Sequence, residues 1–156
     1  MSEIHLPFGL EVIENGAFYR CSALKSVNIP KSVTQIGNDV FFRCSALQSI
    51  TVDDENGKYC DVDGVLFNKD KSEIIAYPEG KTETKYTVPD SVTKISGNVF
   101  GYQSALKEIV VPASVTELPN HNIFVYPDEI TLAVMPGSAA EAYAKEQNIK
   151  YSIRNT

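Results

Sequence analysis

Two cysteines in one repeated phrase, a third on its own, two histidines, a periodic serine and a knot of acids are the residues of this sequence whose types could do chemistry. Cys21 and Cys44 both stand in "RCSAL", 44 − 21 = 23 residues apart, and Cys60 follows in "KYCDV". Three cysteines make no disulfide framework, and a buried free cysteine behaves as a small hydrophobe. Cys21 and Cys44 therefore read as fillers of one small, inward, apolar slot in adjacent repeats, and Cys60 as a lone thiol. Stacked repeats could still bring the first two within bridging distance. His5 and His121 sit in no HExxH, HxH or Cys/His pattern that would supply metal ligands or a nucleophile's base. Ser22, Ser45 and Ser104 follow the repeat, as turn residues that bond the backbone do. Asp53, Asp54 and Glu55, with Asp61 and Asp63 in "DVDG", offer oxygen ligands that calcium accepts. They lack the order and distal glutamate of an EF-hand loop, so a solvated polar loop is expected. No glycine-rich phosphate loop is present. The expectation is a non-enzyme with no catalytic residue, no metal and no cofactor.

Composition narrows the partners. The formal charge of −6 and scattered Lys and Arg argue against a phosphate-backbone partner, which needs clustered cations. With 43% hydrophobic residues and no apolar run near the ~20 residues of a membrane span, the chain reads as one globular unit without membrane insertion. "MSEIHLPFGL" has no basic segment followed by an apolar core, so it is no secretory signal. The chain is then either cytoplasmic as it stands or cut from a longer precursor.

The elements that must position these residues are set by the repeat. The 23-residue step of the cysteines also links Phe18 to Phe41, Leu24 to Leu47, Val27 to Ile50, Ile29 to Val52 and Pro7 to Pro30. It returns between Val88 and Val111 and between Pro89 and Pro112. Apolar pairs Ile4/Leu6, Val27/Ile29, Ile50/Val52, Tyr86/Val88, Ile109/Val111 and Leu132/Val134 mark six short strands, spaced 23, 23, 36, 23 and 23. A repeat of this length cannot bury its own apolar face, and stacking the copies makes one continuous core, so the fold is a solenoid. Within a coil, Val27 and Ile29 point inward and Ser26 and Asn28 outward, because strand side chains alternate. Proline ends the strand, "SVTQIG" adds inward Val33 and Ile36, and the spacing of Val40, Phe41, Cys44 and Leu47 predicts a helical turn with one buried face.

"IPKSVTQIGNDVFFRCSALQSI" and its copies resemble the BspA-type leucine-rich repeats, found mainly in bacterial surface proteins, over residues 4 to about 134. Gln103 stands where the pattern has cysteine, and "NHNIFVYPDEI" replaces its phrase in the last copy, as a cap would. The resemblance implies an α/β leucine-rich-repeat right-handed superhelix and a cell-surface or secreted adhesion module that binds host or neighbouring-cell proteins. A structural spacer within a longer array, or a small cytoplasmic interaction domain, are the alternatives.

The step of 36 carries 36 − 23 = 13 extra residues. "GVLFN" and "EIIAYP", parted by "KDKS", predict a β-hairpin over residues 64 to 78, lying over the solenoid. Ser138 with Glu141 three residues on predicts an N-cap and capping box for an Ala-rich helix, followed by a strand through Ile149, Tyr151 and Ile153. The expected domain is single, with repeats over about 4–52, the insert over 53–85, repeats over 86–134 and a cap over 135–156. The outward strand positions Ser26, Asn28, Ser49, Thr51, Lys85, Thr87 and Glu108, continued by Val110, Thr131 and Ala133, form the expected protein-binding sheet face. An uncovered first coil exposing Ile4, Leu6, Leu10 and Ile13 predicts either excision from a longer array or self-association through that end.

Overall fold

The computed structural model describes residues 2–103 and 105–155. In chain order its strands are β1 (Glu3–His5), β2 (Val12–Ile13), β3 (Ser26–Ile29), β4 (Gln35–Ile36), β5 (Ser49–Val52), β6 (Tyr59–Val62) and β7 (Val65–Asn68). There follow β8 (Glu73–Ala76), β9 (Lys85–Thr87), β10 (Lys94–Ile95), β11 (Glu108–Val111), β12 (Thr131–Val134), the helix α1 (Ala139–Glu146) and β13 (Lys150–Ile153). Equivalent strands stack in parallel at the period of the sequence, Val27 against Ile4 and Ile50, and Ile109 against Tyr86 and Leu132. The result is two sheets, β1-β3-β5 and β13-β12-β11-β9, which make one side of a solenoid.

Each coil is built from its own punctuation. In β3 and β5 burial alternates, with Val27, Ile29, Ile50 and Val52 inside. The carbonyls of Pro7, Pro30, Pro89 and Pro112 each accept from the amide three residues on, so every strand ends in the same tight turn. The predicted helical segment takes the form of consecutive turns: Ala17 bonds Glu14, Tyr19 bonds Gly16, Cys21 bonds Phe18 and Leu24 bonds Cys21. Left-handed residues at Gly16 and Arg20, repeated at Asp39 and Arg43, keep these turns from running on as a helix.

The insert differs from the hairpin expected to lie over the solenoid. β7 and β8 do pair antiparallel, but β6 joins them as a third strand, and β8 pairs in parallel with β10. The meander stands inside the stack as a partition. Leu66 belongs to the core formed by Val27, Val33, Phe41, Cys44 and Leu47, while Val65 and Phe67 on the same strand belong to the core of Phe100, Leu106, Ile109 and Val115. Burial on both faces is what an apolar run without alternation produces. Asn56 makes the transition, standing one period after Val33 and 1% exposed. Its amide donates to the Pro30 and Val33 carbonyls and its oxygen accepts from the Lys58 and Tyr59 amides, so all its bonding capacity is used. At the exit, Gly80 donates to the Leu47 carbonyl at 2.6 Å, and a Cβ there would meet the Ala46 backbone at 2.5 Å.

The C-terminal cap follows the sequence. Ser138 accepts from the Glu141 amide, and the Glu141 carboxylate accepts from the Gly137 amide, which closes the helix start. α1 buries Ala140, Tyr143 and Ala144, and the Tyr143 hydroxyl both accepts from the Ile123 amide and donates to the His121 carbonyl. β13 extends the sheet beside β12 but leaves its own Tyr151 and Ile153 38% and 46% exposed.

Candidate functional site

The strand side brings the predicted contact residues into register. Asn28 and Thr51 are exposed on neighbouring strands and bonded to each other at 2.9 Å, with Ser26 and Ser49 half-buried beside them. Lys85 and Thr87 are exposed, and Lys85 pairs with half-buried Glu108 at 3.4 Å. Val110 and Ala133 depart from the expected outward row, being 4% and 2% exposed. They lie side by side on the two inner strands of the four-stranded sheet, covered on both sides, whereas Thr87 and Ser152 beside them stand on its edge strands.

The row is also interrupted. The forward edge of β5 is taken by the insert, since Ile50 donates to the Gly64 carbonyl at 2.9 Å and Val52 to Asp61 Oδ1 at 2.7 Å. Between the insert and β9 runs a groove of about 210 Å3 lined by Val62, Asp63, Lys81, Lys85 and Tyr86. A larger cleft of about 580 Å3 opens on the other sheet row, between β4 and β8, with Ile36, Asn38, Glu73, Ser96 and Asn98 on its walls. There the Ile36 amide donates to the Tyr59 hydroxyl at 3.0 Å in place of a following strand.

The residues singled out for chemistry are dispersed. Cys44 is fully buried and its thiol donates to the Phe18 carbonyl at 3.0 Å; burial pushes that thiol up to about 11. Cys21, expected in the same inward slot, is exposed. Cys44 is covered by the coil before it, whereas Cys21 faces the end of the described stack. Cys60 is half-buried, bonded to the Asn68 carbonyl, and also raised by burial. His5 and His121 are both exposed. Asp53 caps the Glu55 amide and Asp61 the Val52 amide, and no metal-holding cluster occurs among the described residues. Ser104 lies outside the described residues.

Sequence reasoning missed one surface. On the turn side, Tyr19, Phe42, Tyr102 and Tyr126 form a ladder with ring centroids 6.0, 5.1 and 6.2 Å apart. Arg20 lies 5.4 Å from the Tyr19 ring and Arg43 4.4 Å from the Tyr102 ring, with Arg43 also donating to the Tyr102 hydroxyl. The signal was present but out of step. The period places Gly101 in the slot of Phe42 (42 + 23 + 36 = 101), and the aromatic arrives one residue later. Nearby, Asn98 donates to Asp39 at 2.8 Å across the insert, and Arg43 N–H donates to the Glu79 carboxylate of the insert itself at 2.8 Å.

The sequence matches the BspA type leucine rich repeat region over residues 1–131, in six copies. No curated protein matches it. Among solved structures, it is similar to a leucine-rich repeat protein from Eubacterium ventriosum, at 27% identity and a TM-score of 0.72, over 86% of this chain and 42% of that one. A leucine rich cell surface protein from Faecalibacterium prausnitzii shares 22% identity and a TM-score of 0.66, over 96% and 53% of the two chains. The pneumococcal vaccine antigen PcpA shares the fold at 17% identity and a TM-score of 0.63, over 95% and 60%. The chain spans less than two thirds of each of these structures.

Proposed function

The chain belongs to the BspA-type leucine-rich repeat family, and on that premise we propose that it is a non-catalytic protein-binding or adhesion module of a longer bacterial cell-surface protein. The observation that carries the reading is the exposed polar strand positions, Asn28 and Thr51 in register on one sheet and Lys85 and Thr87 on the next, with Ser26, Ser49 and Glu108 beside them. Short polar side chains on a rigid sheet hold little conformational freedom, so a partner that settles on them orders few groups. The Lys85–Glu108 pair is solvent-exposed and contributes little to stability, which leaves it free to exchange partners at an interface. The partner is a protein of a host or neighbouring cell, and the module reaches it as part of an exported precursor.

The test is capture from surface-labelled cells with the purified module and with a variant carrying Asn28→Arg, Thr51→Arg and Thr87→Arg. A discrete labelled protein retained by the parent and lost by the variant is expected. The same proteins on both, or none on either, would defeat the reading.

A spacer role within a repeat array is favoured by a separate observation. β1 and β13 each lie at the edge of their parallel sheet, and Phe8 is 90% exposed beside half-buried Ile4, Leu6 and Leu10. A preceding coil, or a second copy at that end, would cover these groups. Light scattering on the isolated module distinguishes the two, because a monomer at every concentration excludes self-association.

A further inference from the structure

The turn side of the stack carries two arginines, Arg20 and Arg43, against its aromatic ladder. Six ion pairs occur among the described residues, and all six use lysine: Lys31, Lys81, Lys85, Lys94, Lys107 and Lys145. Arg20 and Arg43 take part in none of them. Arginine is the side chain whose planar fork matches a carboxylate, yet both these guanidiniums rest against tyrosine rings of the ladder. Glu79, the acid beside Arg43, accepts from its backbone N–H.

The backbone fixes where the two cations stand. Arg20 and Arg43 occupy equivalent positions with φ of 61° and 63°, a left-handed conformation that costs free energy for any residue with a Cβ. Each is pinned, Arg20 N–H to the Phe42 carbonyl at 3.0 Å and Arg43 N–H to Glu79 at 2.8 Å. Around them the ladder exposes apolar area: Tyr19 is 44% exposed, Val125 40% and Tyr126 52%. Tyrosine and arginine are the types that dominate binding energy at protein interfaces.

We propose that the ladder is a docking surface for an acidic segment of another protein, whose carboxylates are taken by Arg20 and Arg43 and whose apolar side chains pack on Tyr19, Val125 and Tyr126. Charge decides the occupant. The chain as a whole carries −6, so attraction of an acidic partner has to be local to these two guanidiniums, neither of which is in an ion pair among the described residues. Nucleic acid or a sulfated polysaccharide would need a longer row of cations than two. This surface is separate from the strand row, and the inference stands whether or not that row binds a protein.

The experiment is fluorescence anisotropy with labelled poly-L-glutamate as the probe, at low and at physiological salt. The parent is expected to bind, more weakly as salt rises, and a folded Arg20→Gln/Arg43→Gln variant to bind at least about tenfold more weakly. If the double variant fails to fold, Arg20→Gln alone removes one exposed guanidinium and should also weaken binding. No binding by the parent, equal binding by a folded double variant or by Arg20→Gln, or binding of heparin in preference to poly-L-glutamate would each overturn the proposal. So would self-association of the parent that the double variant lacks, since the occupant would then be a second copy.

Discussion

Cys21 and Cys44 show how far one slot of a repeat can diverge. Both occupy the same position of the phrase, yet Cys44 is sealed beneath the Phe18 carbonyl and Cys21 is open. Reaction with a thiol reagent needs access and thiolate, and burial denies Cys44 both, pushing its thiol up to about 11. Native protein at pH 8 should therefore label at Cys21 and spare Cys44 until denaturant is added. Mass spectrometry of tryptic peptides reads this, and early labelling at Cys44 would contradict the packing. Gln103 makes the same point from the other side. It replaces the cysteine of its coil, and its amide donates to the Tyr77 carbonyl 26 residues back, the span that separates Cys44 from Phe18. The sequence made the substitution visible, but not that the hydrogen bond survives it. Phe41 is the counterpart that was fully legible: 8% exposed and stacked on Phe18 at 5.6 Å. Phe41→Ala should cost about 3–5 kcal/mol, seen as a lower denaturation midpoint.

The repeat strands could be read from the chain because each alternates and recurs, and these two signals reinforce one another. β1, β3, β5, β9, β11 and β12 fall where their apolar pairs placed them, and β13 where Ile149, Tyr151 and Ile153 alternate. The insert has no second copy to be compared with. Its β6, "YCDV", is half-buried throughout, so neither alternation nor an apolar run marks it, and only β7 and β8 stand out. That β7 divides two cores could not be read from an apolar run alone, because burial on both faces and burial under a cover look alike in sequence. The division is testable. Leu66→Ala should loosen the first core and lower hydrogen-exchange protection in β3 and β5, whereas Phe67→Ala should act on β11 and β12. Equal loss in both halves from either substitution would mean that the partition does not separate them. The aromatic ladder escaped for a related reason: a one-residue slip at Tyr102 hides it from any search by strict period.

At the scale of the whole molecule, the solenoid is two short stacks sharing a wall. Coils on either side contact their neighbours and, at the middle, the insert. Stability in such an array is close to a sum of coil and interface contributions, so the two stacks need not loosen together. The cap at the C-terminal end is specific, with Ser138 and Glu141 closing α1 and Tyr143 reaching back to Ile123. The Ser138–Glu141 closure was legible because capping chemistry is local, whereas the Tyr143 contact, which spans 20 residues, was not. The strand row was legible as positions but not as a surface, since the break between β5 and β9 and the burial of Val110 and Ala133 follow from what the insert and neighbouring strands do in space.

The latches across the insert matter most when the molecule is pulled. A solenoid stretched from its ends peels one coil at a time, each resisting with little more than its own ladder. Here the peeling front from the N-terminus would meet a wall tied at several points at once: Asn98 to Asp39, Arg43 to Glu79 and Tyr102, Gly80 to Leu47 and Gly64 to Ile50. Those bonds tie the wall on both the strand side and the turn side, so a front that reaches it meets more than one coil's ladder. Force spectroscopy on the tethered chain should record low, closely spaced ruptures for the outer coils and one distinctly higher peak at the centre. Asn98→Ala with Gly80→Ala should lower that peak and leave the others in place. A trace of uniform steps would mean that the insert bears no more load than a coil.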